Sequence, residues 1–267
     1  MVIETAIFHL AVAPASAPDD EIVDKVSAII GKTPYETRLR LTGRFPKIAA
    51  SFNNRQQAEE AASSLKDLGL VRMVIPDSSL RKTPEIFRVR SLKLEEQAVT
   101  FNNKSGQSRR MASSELFLIL SARLQAYTEV ETIKTKRGIN ITATIMTGGI
   151  PVPKKVEEKV VTRAFETESF LRLYDKTSPD SAMEITQHGL DYSFLGSEMA
   201  ASVSTNYGLA IKRLREAFPQ AVFDDSLIDP FGSKTPASMA RDAIEINCKL
   251  IYWSHLAMTN AGTEGWL

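Results

Sequence analysis

The chain has almost no cysteine, few aromatic residues and no excess of either charge. Cys248 is the only cysteine among 267 residues, so no intrachain disulfide forms and a cysteine-based zinc site lacks its ligands. Such sparing use of cysteine suits a reducing compartment. Aromatic residues are 7% of the chain, and they are not interleaved with its cations as a stacking platform for single-stranded nucleic acid requires. No apolar run approaches the roughly 20 residues of a membrane span. The N-terminal stretch carries Glu4 in place of a basic segment, and His9 breaks its short apolar run, so it reads as a strand and not as a signal peptide. A cytoplasmic protein is expected.

Reactive motifs are missing too. His9, His188 and His255 are scattered, and none stands four residues from another histidine or cysteine, the spacing by which one helix face offers two metal ligands. The pairs Glu59-Glu60 and Asp224-Asp225 have no partner motif and read as solvated faces or caps, not as acid/base pairs. Thr147-Gly148-Gly149-Ile150-Pro151 lacks the Gly-Lys-Ser/Thr ending of a phosphate loop. No enzyme, cofactor or metal is expected. A hydrolase stays open only as a cluster of carboxylates or histidines assembled from distant segments.

What is present is a globular composition, 43% hydrophobic and 24% charged, with enough length for two domains. Thr5 to Val12 reads as a strand ended by prolines. Asp19 or Asp20 caps a helix that carries Ile22, Val23, Val26, Ile29 and Ile30 on one face and stops at Gly31. Thr33-Pro34-Tyr35-Glu36 is a capping box with proline at the first helical position. A strand over Phe45 to Phe52, a helix capped by Asn53 or Asn54 and stopped at Gly69, and a strand over Val71 to Ile75 complete the order β-α-α-β-α-β.

The residues Glu36-Thr37-Arg38, Pro46, Ala58-Glu59, Leu65 and Gly69-Leu70 have the spacing of the C-terminal domain of the bacterial ribosomal stalk protein, which this segment resembles. The resemblance covers roughly residues 5–76 and implies a small α/β module. In that family lysines beside a Glu-Ala-Lys segment recruit translational GTPases. Thr37 and Arg38 occupy the matching positions here, and Thr33-Pro34 replaces the preceding glycine pair. The module otherwise reads as a docking or dimerising unit.

Pro76 to Ser79 and Lys82-Thr83-Pro84 bracket a domain boundary. Beyond it Phe87 to Leu94 and Ala98 to Phe101 read as strands, joined to a third by the turn Asn102 to Gly106. Ala122 to Thr132 alternates with period two, as a strand with one buried face does. Residues 134–164 read as a long loop or an extended hairpin. Phe165 to Tyr174 and Met183 to Leu195 read as extended runs, and Tyr207, Ile211, Leu214 and Phe218 repeat at helical spacing. Strands closed by one helix, over residues 86–219, resemble a bacterial pleckstrin-homology-like domain. Residues 220–267 form a C-terminal helical extension, in which a turn-rich connector precedes a helix opening at Thr235-Pro236. The expected fold class is α+β, with domains 1–81, 86–219 (carrying an insertion near 134–164) and 220–267.

The net charge of +1 hides an asymmetry. Residues 82–165 hold 15 Lys/Arg against 8 Asp/Glu, whereas residues 166–267 hold 8 against 14. Arg88, Arg90, Lys93, Lys104, Arg109 and Arg110 gather on or beside the first hairpin, where they either bind an anion (a lipid headgroup or a nucleic acid) or pair with the acidic C-terminal part. Met239, Ala243, Ile246, Leu250, Trp253 and Ala257 make a helical stripe. It packs on its own domain or, through Met239, Ile246, Leu250 and Trp253, offers a partner or dimer surface. The leading expectation is a non-enzymatic protein-interaction or scaffold protein with an unidentified protein partner and a possible homo-oligomer. Binding of an anionic ligand by the basic hairpin is the alternative.

Overall fold

Local capping chemistry fixes the first helices. A computed structural model of the chain describes residues 6–15, 17–139, 153–228 and 241–260. In it the Asp19 carboxylate accepts from the Ile22 amide to open α1 (Asp20–Ile30), and Gly31 closes the helix at φ 65°, where a side chain is disfavoured. The Thr33–Glu36 capping box is present in both directions at the start of α2 (Pro34–Leu41). Asn54 caps α3 (Arg55–Asp67) by accepting from the Gln56 amide.

The fold is α+β. The chain divides into two units, Met1–Leu124 with Glu168–Leu267, and Gln125–Thr167. In the first unit β1 (Phe8–Val12) lies between β2 (Lys47–Phe52) and β3 (Arg72–Pro76) and is antiparallel to both. Alternation along β1 sends Leu10 and Val12 against Val23, Val26, Ile30, Leu41 and Leu65 of the three helices. Ala11 faces the other way and, with Met73 and Ile75 of β3, meets Leu80, Leu250 and Ala257.

The second sheet has seven strands in the order β10-β7-β8-β9-β4-β5-β6. These are β4 (Phe87–Leu94), β5 (Ala98–Asn103), β6 (Ser108–Ala112), β7 (Leu118–Ile139), β8 (Pro153–Tyr174), β9 (Met183–Thr186) and β10 (Val222–Leu227). Two further helices cover it, α5 (Val203–Ala217) and α6 (Arg241–Asn260). Along β8, Leu171 and Leu173 join Tyr207, Ala210, Leu214 and Phe218 on the α5 face. Phe170 and Tyr174 join Ile244, Cys248, Ile251 and Tyr252 on the α6 face. Helix α6 is thus apolar on two sides. Ile244, Cys248, Ile251 and Tyr252 lie on the large sheet, while Leu250 and Ala257, with Ile246 and Trp253 beside them, lie on the small one. Each fully buried aliphatic or aromatic side chain contributes about 1.5–3 kcal/mol, so α6 helps to hold both sheets.

Several local expectations change. The segment Pro76 to Ser79, read as one bracket of a domain boundary, enters a one-turn helix, α4 (Asp77–Arg81), in which Asp77 donates its amide to the Ile7 carbonyl and Leu80 is buried under β3. The extended run from Met183 stops at Thr186, and a 3-10 turn follows over Ser193–Glu198 with Gly196 at φ 54°. The turn-rich connector contains β10, which pairs in parallel with β7 through Val222↔Leu118 and Phe223↔Ile119. Within 134–164 the described residues are strand, at the ends of β7 and β8. Residues 140–152, Thr235-Pro236 and Met239 lie outside the described residues. Among the described residues no helix is long and apolar enough to cross a membrane.

Candidate functional site

Strand register assembles a polar group on the α6 face of the large sheet. Arg172 of β8 is paired with Glu184 of β9, and Glu184 in turn with Arg88 of β4. Their sequence neighbours Leu171, Leu173, Met183, Ile185, Phe87 and Val89 all enter the α5-side core. Alternation therefore turns the three charged residues to the opposite face together. There α6 adds Glu245. Arg172 donates from Nε to Glu184 Oε2 at 2.8 Å, and from its two terminal nitrogens to the Glu245 carboxylate at 3.0 and 2.5 Å. This last pair is bidentate, the geometry in which arginine and carboxylate bind most strongly.

The Arg172 side chain is 2% exposed and that of Glu184 6%. Burial works against the guanidinium charge, but the Glu245 hydrogen bonds together with the electrostatic contributions of Tyr174, Cys248 and Glu184 hold Arg172 above its usual value. Burial also raises the Tyr174 hydroxyl, and it pushes the neighbouring Cys248 thiol up to about 12. Cys248 is therefore a neutral packing residue, since the thiolate is the nucleophilic form. Above the triad lies a cleft of about 230 Å³, lined by Arg88, Glu168, Glu184, Glu245, Phe170 and Ile244 among others.

Of the expected cations only Arg88 reaches this cleft, with Nε 3.8 Å from Glu184 Oε1. Arg90 donates to the Gly189 carbonyl at 2.5 Å. Arg109 donates to the Ser181 carbonyl at 3.2 Å and lies 4.7 Å over the Phe87 ring. Arg110 pairs with Glu95 of its own hairpin at 3.1 Å, while Lys93 and Lys104 are exposed. The six are not brought to one site. Of the helical stripe, Leu250 is 2% exposed, and Ile246 and Trp253 are partly buried with it against the small sheet, so the chain itself occupies that face. Of the positions matched to the stalk family, Thr37 is buried and accepts from Ser27 Oγ, and Arg38 pairs with Asp20.

Two of the histidines have partners, and the partners are separate. His9 contacts Ser51 and Asp77, each at 2.8 Å, and His255 contacts Asp224 at 2.7 Å. Among the described residues no group of three or more His, Cys, Asp or Glu is arranged to hold a metal ion.

Sequence reasoning missed Arg172, Glu184, Glu245 and Lys249. The Lys249 side chain is 2% exposed, and its ammonium donates to the Ser79 and Lys82 carbonyls at 2.7 Å each and lies 3.1 Å from Asp180. A signal was available for two of them: Arg172 and Lys249 are lone charges inside the apolar runs FLRLY and NCKLIYW, and a charge placed where a pattern demands burial has to be paired.

No family model, no curated protein and no solved structure matches this chain.

Proposed function

We propose that the chain is a non-enzymatic, cytoplasmic interaction protein. In this reading it joins a module like the C-terminal domain of the ribosomal stalk protein to a β module like a bacterial pleckstrin-homology domain, and it recognises a protein partner. The observation that carries the reading is an apolar pair on α2. Tyr35 is 74% exposed and Leu39 50% exposed, and a spacing of four residues puts them on one helix face. They contribute nothing to the core, and a short amphipathic helix with solvent-facing apolar anchors is a common way for a small module to offer itself to a partner. The anionic-ligand reading has less support, because Arg90, Arg109 and Arg110 are already engaged within the chain.

The test is site-specific photocrosslinking in cells, with the crosslinker at Tyr35, at Leu39 or, as a control, at exposed Gln57 of α3. The reading expects one discrete adduct from positions 35 and 39, absent at 57, and removed from position 35 by Leu39→Glu. The same products at all three positions, or none at 35 and 39, would overturn it.

A further inference from the structure

We propose that the cleft above Arg172 binds a primary alkylammonium group, the chemistry shared by a small free amine and a lysine side chain. This site is independent of the α2 surface. Its walls carry two arginines against three glutamates, so the formal balance is negative. Arg172 is spent, since all three of its guanidinium nitrogens are engaged by Glu184 and Glu245.

The acceptors are only partly used. The Glu184 side chain is 94% buried, yet only its Oε2 accepts a hydrogen bond from Arg172. Arg88 Nε lies 3.8 Å from its Oε1, beyond hydrogen-bonding reach. Glu168, half-buried on the wall, has no hydrogen bond or ion pair among the described residues. These acceptors keep some contact with solvent through the cleft, and to them an ammonium brings three donors and the complementary charge. The rest of the lining is apolar, from Leu124, Phe170 and Ile244, and suits the methylene chain behind such a head group. An anion would have one uncommitted donor residue, Arg88, whose side chain is 69% exposed, and would lie against three carboxylates.

The experiment follows the methyl signals of Ile244 and Leu124 by NMR in the full chain. The titrants are n-butylammonium, N-acetyl-lysine methylamide and, as a neutral control of similar size, pentan-1-ol. The expected result is a saturable shift with n-butylammonium and none with pentan-1-ol. Glu168→Gln should weaken binding by about tenfold, as loss of one charge-assisted contact does, while signals far from the cleft stay in place. Arg88→Gln should strengthen it about threefold by removing a like charge. Binding of the lysine derivative as well assigns the site to a lysine side chain, and binding of n-butylammonium alone assigns it to a free amine. No saturable shift, an equal response to pentan-1-ol, indifference to Glu168→Gln, or weaker binding in Arg88→Gln would each overturn the proposal.

Discussion

Arg172→Met gives the most direct measure of how the α6 face is held. The change removes the only cation among the described residues that both Glu184 and Glu245 bind through hydrogen bonds, and keeps most of the side-chain volume. Side-chain exposures of 6% for Glu184 and 20% for Glu245 mean that the orphaned charges face little water. Removing one partner of a buried ion pair costs about 3–5 kcal/mol. Glu245 can turn partly toward solvent and Arg88 can close on Glu184, which puts the expected loss near the lower end, about 3 kcal/mol. Urea denaturation at pH 7, followed by far-UV circular dichroism and by tryptophan fluorescence, to which Trp253 on α6 contributes, reads this as a lower midpoint. Two corollaries sharpen it. Adding Glu184→Leu and Glu245→Leu to Arg172→Met should bring stability back to within about 1 kcal/mol of the parent, because an apolar replacement of a whole buried triad is close to neutral. The deficit of the single variant should narrow as pH falls, since protonation removes the negative charge that Arg172 no longer balances. A loss under about 1 kcal/mol at pH 7, or a triple variant no better than the single one, would refute the assignment of the triad as a charge-neutralised buried unit.

Lys249→Met strands two carbonyls and leaves Asp180 to Lys82 alone, and should cost about 2–4 kcal/mol in the same assay; a neutral result would mean that water replaces the ammonium. Cys248, fully buried and with its thiol near 12, should resist a thiol-reactive disulfide reagent at pH 8 until urea unfolds the chain, and rapid labelling of the native protein would contradict its packing. Burial opposes the charge of Asp224, but hydrogen bonds from His255 and Ser226 outweigh it and lower its carboxyl. Its contribution is therefore complete above the unfolded carboxylate value of about 3.9 and is lost as pH falls through the lower folded value. Asp224→Asn should flatten that acid limb of the stability curve, and an unchanged limb would remove Asp224 from it.

What could be read from the sequence was mostly local. The Asp19, Thr33 and Asn54 caps and the Gly31 stop depend on neighbours within a few residues, and all are formed. Strand β10 was hidden because Asp224 and Asp225 look like turn residues. They sit in a strand because His255 pairs with the first and Arg44 with the second, partners that only the tertiary fold supplies. The cleft was hidden for the same reason. Arg88, Arg172, Glu184 and Glu245 come from three strands and a helix, and no spacing along the chain announces a register. The charge asymmetry is matched by one ion pair of the cations singled out: Arg88 meets Glu184, while Arg90 and Arg109 reach Gly189 and Ser181 of the acidic part. It gave no sign, however, that backbone carbonyls would take two of the three.

The two-sided apolar character of α6 also bears on the order of assembly. This helix follows every strand of both sheets in the chain, yet Leu250 closes over Ala11 and Met73 while Tyr252 closes over Tyr174 and Phe117. Until residues 244–257 leave the ribosome, both sheets display a bare oily face to the cell, the small one for almost the whole time of synthesis. Exposed faces of that kind invite aggregation. The nascent chain should therefore depend on a holding chaperone until α6 arrives, and a ribosome stalled before Arg241 should display a sticky intermediate.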